Sequence, residues 1–214
     1  FLVIISLLLF WECPAQQPTY FTIGNDELVN VNVYSMIESD EGALYAATNK
    51  GLFVYRHGKF REIPADEKQR EKSLFQLQKD TAGNIYCCNL SGQVFRVNKE
   101  KLELFYQYDE KFISDRFHFT IDSENHLIAA SKSLIRYHPE KSELSIVIPK
   151  KLGKIRFLKK RSGGTIVIGH SLGDSLTILK KGELLKEKTK DEIGTPKGHW
   201  MFIELNSRSF GFTV

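Results

Sequence analysis

The stretch YSMIESDEGALYAATNKGLFVYRHGKFREI, Tyr34 to Ile63, alternates short apolar runs with turns built on Asp, Asn and Gly, and its pattern returns three more times along the chain. The later copies are LFQLQKDTAGNIYCCNLSGQVFRVNKEKLELFY (Leu74 to Tyr106), FHFTIDSENHLIAASKSLIRYHPEKSELSIVI (Phe117 to Ile148) and IRFLKKRSGGTIVIGHSLGDSLTILKKGELLKE (Ile155 to Glu187). Two sets of anchors keep the period. Leu44, Ile85, Leu127 and Ile166 lie 41, 42 and 39 residues apart, and Phe60, Leu102, Leu144 and Leu184 lie 42, 42 and 40 apart. A period in this range marks a repeat architecture in which each unit buries its faces only against its neighbours.

Within a unit the pattern predicts four short strands. The first is an alternating run such as Tyr34–Ile37 or Phe117–Ile121. A turn follows at Ser39–Gly42, Asp80–Asn84, Asp122–Asn125 and Ser162–Thr165, rich in residues that bond their own backbone or tolerate positive φ. The second strands are Leu44–Thr48, Ile85–Asn89, Leu127–Ser131 and Ile166–His170, and the next turn often holds a glycine seven residues past the anchor, at Gly51, Gly92 and Gly173. A third strand, a charged hairpin and a fourth strand complete the unit. No long segment shows a 3.6-residue apolar period. The fold class expected is all-β: a partial β-propeller with four four-stranded blades of about 40 residues and the start of a fifth, its ring not closed within this chain. The expected segments are 1–15, a signal peptide; 16–29, a lead-in; 30–69, 70–110, 111–150 and 151–190, the four blades; and 191–214, a fifth blade cut short, with His199–Leu205 as its first strand and Asn206–Ser209 as its turn.

Outside the repeat, Phe1 to Trp11 is unbroken apolar sequence, too short for a ~30 Å hydrocarbon core but the length of a signal-peptide core. Cys13-Pro14-Ala15 supplies a small-residue exit, so cleavage is expected between Ala15 and Gln16, and an exported chain meets an oxidising compartment. The alternative is an apolar buried strand. With no initiator Met and no basic n-region, a few residues are expected to be missing ahead of Phe1. The formal charge of +4 is too small to argue for nucleic acid, but it is uneven. Lys150 to Lys190 carries 12 Lys/Arg against Asp174, Glu183 and Glu187, a net of +9 that leaves −5 for the remainder. This run reads as a solvated blade edge, where lysine also discourages edge pairing; the alternative is contact with an anionic partner.

The string Ile37 to Leu52, followed by Tyr55, resembles the two-component regulator propeller repeat, whose pattern runs D-x-x-G-x-[IL]-W-[IV]-G-T-x-x-G-[IL] and ends in an aromatic. Tyr45 stands where Trp is usual and Ala47 where Gly is usual. The second unit keeps Asp80, Gly83, Asn84, Ile85, Tyr86 and Gly92; the third keeps Asp122 and Asn125; the fourth keeps Gly163, Gly164 and Gly173. The resemblance implies the N-terminal periplasmic ligand-sensing region of a two-component sensor histidine kinase anchored in the inner membrane. Its implied partners are an unknown small molecule or glycan, and further blades, a membrane helix and an output domain of the same polypeptide, with a homodimer as an option for the full-length protein. A membrane-tethered transcription regulator is the first alternative. The second is a free-standing exported propeller enzyme such as a lyase, which would need His, Arg or carboxylates converging on the central channel; the sequence shows no such cluster.

Several motifs imitate chemistry. Gly169-His170-Ser171-Leu172-Gly173 matches the G-x-S-x-G nucleophile elbow, with Asp191 and His199 as nominal partners, but the elbow needs a strand-to-helix turn and Asp174–Leu179 reads as a strand. Cys87-Cys88 aligns with Ala46-Ala47, Ala129-Ala130 and Ile168-Gly169, so the pair is expected to be small buried hydrophobes, with a vicinal disulfide as the rival. The histidines at 57, 118, 126, 138, 170 and 199 lack ligand spacing and read as turn or surface residues. Asp40, Asp80 and Asp122 each read as the start of a turn, not a calcium series, and the sequon Asn89-Leu90-Ser91 reads as a turn. No catalytic, cofactor-binding or metal-binding residue is assigned, no cofactor is expected, and the ligand site stays unknown.

Overall fold

The computed structural model describes residues 23–24, 26–113, 116–148, 155–161, 164–170, 175–180, 183–189, 200–205 and 208–213. The expected signal segment, with its Ala15–Gln16 junction, lies outside them. Four antiparallel meanders follow one another. They are β1 (Val33–Glu38), β2 (Leu44–Thr48), β3 (Gly51–Arg56) and β4 (Lys59–Ile63); β5 (Phe75–Lys79), β6 (Ile85–Cys88), β7 (Gln93–Asn98) and β8 (Lys101–Gln107); β9 (His118–Ile121), β10 (Leu127–Ala130), β11 (Leu134–His138) and β12 (Glu143–Ile148); and β13 (Ile155–Lys160), β14 (Thr165–His170), β15 (Ser175–Lys180) and β16 (Glu183–Thr189). Each sheet has its strands in sequence order. A hairpin of β17 (Trp200–Leu205) and β18 (Arg208–Thr213) comes after them. The only described helix is a 3-10 turn at Glu110–Phe112. The innermost strands β1, β5, β9 and β13 pack side by side in that order. This is a four-bladed stretch of propeller.

The core lies between blades, and the strand period of two builds it. Tyr45, Ala47, Leu52 and Val54 face Leu77, Ile85, Cys87 and Phe95 across the first interface. Tyr86, Cys88 and Val94 point the other way, to Phe119, Leu127 and Ala129. Ile128, Ala130 and Leu134 then meet Ile155, Ile166 and Ile168. The second strands β6 and β10 therefore feed two interfaces each, which explains why they are apolar at every position rather than at alternate ones. Small residues recur there because two sheets close over them: Ala46, Ala47, Cys87, Ala129 and Ala130 are all fully buried.

The turns after the innermost strands latch neighbouring blades. Asp80 Oδ1 accepts from the N–H groups of Ala82 (2.9 Å) and Asn84 (2.8 Å), and Asp122 Oδ1 accepts from Glu124 (2.8 Å) and His126 (2.9 Å). In blade one this role belongs to Ser39, whose Oγ accepts from Ala43 N–H at 3.0 Å. Asp40 thus does not begin its turn, contrary to the reading of the sequence; it reaches blade two and pairs with Lys79 at 2.6 Å. The shift has a simple cause, since Ser39 and not Asp40 stands five residues before the anchor, as Asp80 and Asp122 do. Thr81 Oγ1 likewise donates to Asn125 Oδ1 at 2.7 Å across the next interface.

Two connections are more than spacers. The lead-in packs on blade one: Leu28 joins Ala46, Phe53 and Phe60, and a side chain at Gly24 (φ +80°) would meet the Phe60 ring at 2.8 Å. The segment from Pro64 to Ser73 straps blade two. Asp66 accepts from Lys68 N–H (2.8 Å) and Leu104 N–H (2.7 Å), and Gln93 Nε2 donates to Lys68 O (2.9 Å).

Candidate functional site

A β-bulge interrupts β1 between Val33 and Ser35, and another interrupts β5 between Phe75 and Gln78, whereas β9 pairs regularly with β10. Bulges re-aim side chains and gather beside functional sites. Here they bring Tyr34, Phe75 and Gln76 to the entry end of the innermost strands, where Leu90 from the β6–β7 turn and Arg116, Phe117 and His118 at the start of β9 complete a cavity of about 180 Å³. Tyr34 and Phe75 stack, with ring centroids 4.6 Å apart and planes 27° from parallel. Tyr34 is 47% exposed and Leu90 45%, a large apolar outlay facing solvent.

Gln76 organises the polar side. It holds φ at +53°, in the left-handed region that a residue with a side chain enters at a cost of about 1–3 kcal/mol. Its Oε1 accepts from Phe119 N–H at 3.2 Å, and its Nε2 donates to Phe117 O at 3.2 Å and lies 2.8 Å from His118 Nδ1. An amide NH₂ has no lone pair to offer, so Nδ1 is the acceptor and the imidazole proton sits on Nε2. That nitrogen is buried and has no partner within the protein. Burial first, and the charge of Arg116 second, hold the His118 pKa below its usual value, so the ring is neutral at pH 7.

Sequence reasoning missed this group. His118 is half-buried in an innermost strand, not a turn or surface residue, and it converges with Arg116 and Gln76 at the mouth of this cavity, a grouping the sequence had not shown. The signal was present only as the alternation at the start of the third unit. Tyr34, Gln76 and His118 keep the 42-residue spacing of the repeat, but the bulges in β1 and β5 take the first two out of the strand alternation.

The other candidates resolve into structure. A larger cavity, about 380 Å³, opens at the opposite end between blades one and two. Its Arg56 is already matched by Glu100 at 3.0 Å and Glu41 at 3.6 Å, and Asp40 by Lys79. Asp122, Glu124 and His126 offer ligand atoms within 4.8 Å of one another. One nitrogen of Arg136 occupies that position, 2.9 Å from Asp122 Oδ2, 2.8 Å from Glu124 Oε2 and 2.7 Å from His126 Nδ1. His126 also lies 4.1 Å from His138, ring to ring. His57 occupies a turn at φ +52°, His170 ends β14, and His199 is outside the described residues.

Cys87 and Cys88 are free, buried and face different interfaces, and burial raises both thiol pKa values. Asn89 of the sequon is fully buried and exchanges hydrogen bonds with Gln93, Nδ2 to Oε1 at 2.8 Å and Gln93 N–H to Oδ1 at 3.0 Å. Gly169 opens the G-x-S-x-G match because the Phe157 ring lies where its Cβ would be. Ser171 to Asp174 fall outside the described residues, and the chain continues as strand β15, not as the helix an elbow requires. Of the lysine-rich run, Lys159 and Lys180 are exposed near the ends of β13 and β15.

No protein-family model matches the chain, and no curated protein matches it significantly. Solved structures do. Virginiamycin B lyase from Staphylococcus aureus aligns over 92% of this chain and 73% of its own, at 11% identity and a TM-score of 0.66. A catalytically inactive His-to-Ala form of that lyase, solved with quinupristin, aligns over 89% of this chain and 68% of its own, at 11% identity and a TM-score of 0.63. An extracellular domain assigned to a hybrid two-component system of B. thetaiotaomicron aligns over 90% of this chain and 28% of its own, at 15% identity and a TM-score of 0.65. At such identities the shared property is the fold, and this chain spans little more than a quarter of that extracellular domain.

Proposed function

We propose that this chain is the ligand-receiving propeller of an exported signalling protein, the N-terminal periplasmic part of a membrane-anchored two-component sensor histidine kinase. The observation that carries the reading is the mouth pocket, in which two bulged strands set a stacked aromatic pair beside a histidine whose outward N–H is unspent. A buried donor without a partner costs about 1–3 kcal/mol, a cost that a bound acceptor would relieve. The apolar N-terminal run and the sensor domain among the structural neighbours support the same reading. Its partners are a small molecule or glycan at the mouth and further blades, a membrane helix and an output domain in the same polypeptide; a DNA-binding output in place of a kinase leaves the role of this segment unchanged.

A lyase is the second reading, favoured by the lyase neighbours and by a histidine at the mouth. The tautomer of His118 argues against it. A general base needs a bare nitrogen toward the substrate, whereas Nδ1 is capped by Gln76 and Nε2 carries the proton. The test is a thermal-shift screen of the purified chain against small molecules, followed by mass spectrometry of each stabilising compound. Recovery of the compound unchanged supports reception; conversion of it would replace reception by catalysis.

A further inference from the structure

We infer that the larger cavity, between blades one and two, binds a zwitterion: a free α-amino acid with an apolar side chain, set into the ion-pair chain Glu41–Arg56–Glu100. This site lies at the other end of the blades from the mouth pocket and does not depend on what the mouth receives. Both signs of charge line it, Asp40, Glu41 and Glu100 against Arg56 and Lys99. An anion would face three carboxylates, and a cation would face a guanidinium and an ammonium. A ligand carrying both charges has a complement for each.

The ion pairs here are easily exchanged. The Arg56 side chain is only 34% exposed, against 84% for Glu41 and 68% for Glu100, so Arg56 is the fixed member. Its Nη1 holds Glu100 at 3.0 Å. Its Nη2 reaches Tyr45 Oη at 3.4 Å and Glu41 at 3.6 Å, longer than a good hydrogen bond. Exposed pairs of this kind contribute little. A ligand carboxylate can therefore replace Glu41 on Nη2 while the ligand ammonium takes the released Glu41. The exchange leaves no charge unpaired, which neither a simple anion nor a simple cation achieves.

Backbone and shape agree. Lys99 and Glu100 both hold positive φ, +44° and +64°, and both line the cavity. Side chains enter that region at a cost, and such strain gathers at functional sites. Tyr45, Ile85 and Val97 form an apolar floor that belongs to the core between the two blades. At about 380 Å³ the cavity is at the small end of the roughly 300–1,000 Å³ range of ligand sites, which suits an amino acid.

The test is calorimetric titration and NMR of the full chain with leucine, isocaproate and isoamylamine. These share one side chain and carry both charges, only the carboxylate, or only the ammonium. Leucine is expected to bind at least about tenfold more tightly than either other probe, the effect of one charged hydrogen bond, and to shift the Gly83 amide and Arg56 guanidinium signals. Arg56→Gln should weaken leucine by about tenfold. Lys99→Asn combined with Glu100→Gly, which relaxes the turn, should also weaken it while the fold gains stability. If isocaproate or isoamylamine binds as tightly as leucine, zwitterion recognition is overturned. If leucine leaves Gly83 and Arg56 unmoved, or shifts Tyr34 and His118 instead, the site itself is overturned and the mouth reading stands.

Discussion

Arg136 spends a single nitrogen on Asp122, Glu124 and His126, and so stands where a cation would be held. Replacing it by alanine removes that charge and leaves three ligand atoms within 4.8 Å. Arg136→Ala is therefore expected to lower the melting temperature and to regain part of the loss in Zn²⁺, while the parent protein is indifferent to Zn²⁺; melting curves with zinc and with chelator check this. The cysteines make a second residue-scale case. Adjacent strand residues point to opposite faces, so Cys87 and Cys88 sit in separate interfaces, and burial disfavours the reactive thiolate of each. Intact mass should show neither alkylated by iodoacetamide in the native protein and both alkylated after denaturation.

At the scale of elements, the β7–β8 hairpin turns on Lys99 and Glu100, both at positive φ (+44° and +64°). Two-residue hairpin turns of this hand favour Asn-Gly. Lys99→Asn combined with Glu100→Gly should stabilise the chain by about 1 kcal/mol, read by urea denaturation, even though it gives up the exposed Arg56–Glu100 contact, which is worth little. The strap over blade two depends on Asp66. N–H donation from Lys68, then from Leu104, holds its carboxyl below the ordinary value of 3.8. A lowered carboxyl pKa contributes stability that is full above the unfolded value and fades as pH falls through the folded one. Asp66→Asn should cost about 1 kcal/mol near neutral pH and flatten the decline of stability below pH 3.8, a difference visible in denaturation midpoints across an acid series.

Across the whole molecule, stability belongs to the interfaces between blades. Tyr108, fully buried after β8, donates its hydroxyl proton to Ser133 O at 2.7 Å and lies 2.7 Å from Ser133 Oγ, tying blade two to blade three. Tyr108→Phe removes this partner from Ser133 Oγ, while Ser133 O keeps the Ser131 N–H at 3.1 Å. It should cost about 1–2 kcal/mol in one urea transition of unchanged slope, if neighbouring blades unfold together as stacked repeats do; a second transition or a reduced slope would mean that the two blades separate.

What the sequence determined by itself was the repeat: the period near 41 residues, the strand-turn-strand grammar, the small residues at Ala46-Ala47, Cys87-Cys88 and Ala129-Ala130, and hence the propeller. These were legible because they follow from local rules, turn chemistry and the period of two. The false Asp40 reading arose where one residue of register separates Ser39 from its neighbour. The mouth pocket could not be read in the same way. Tyr34, Gln76 and His118 lie about 42 residues apart along the chain, and two bulges, invisible in composition, bring them together. Only the packing of three blades around one axis decides that the Gln76 amide caps His118, fixes its proton and leaves one donor unspent. That donor is a property of the contact between blades and of no blade alone.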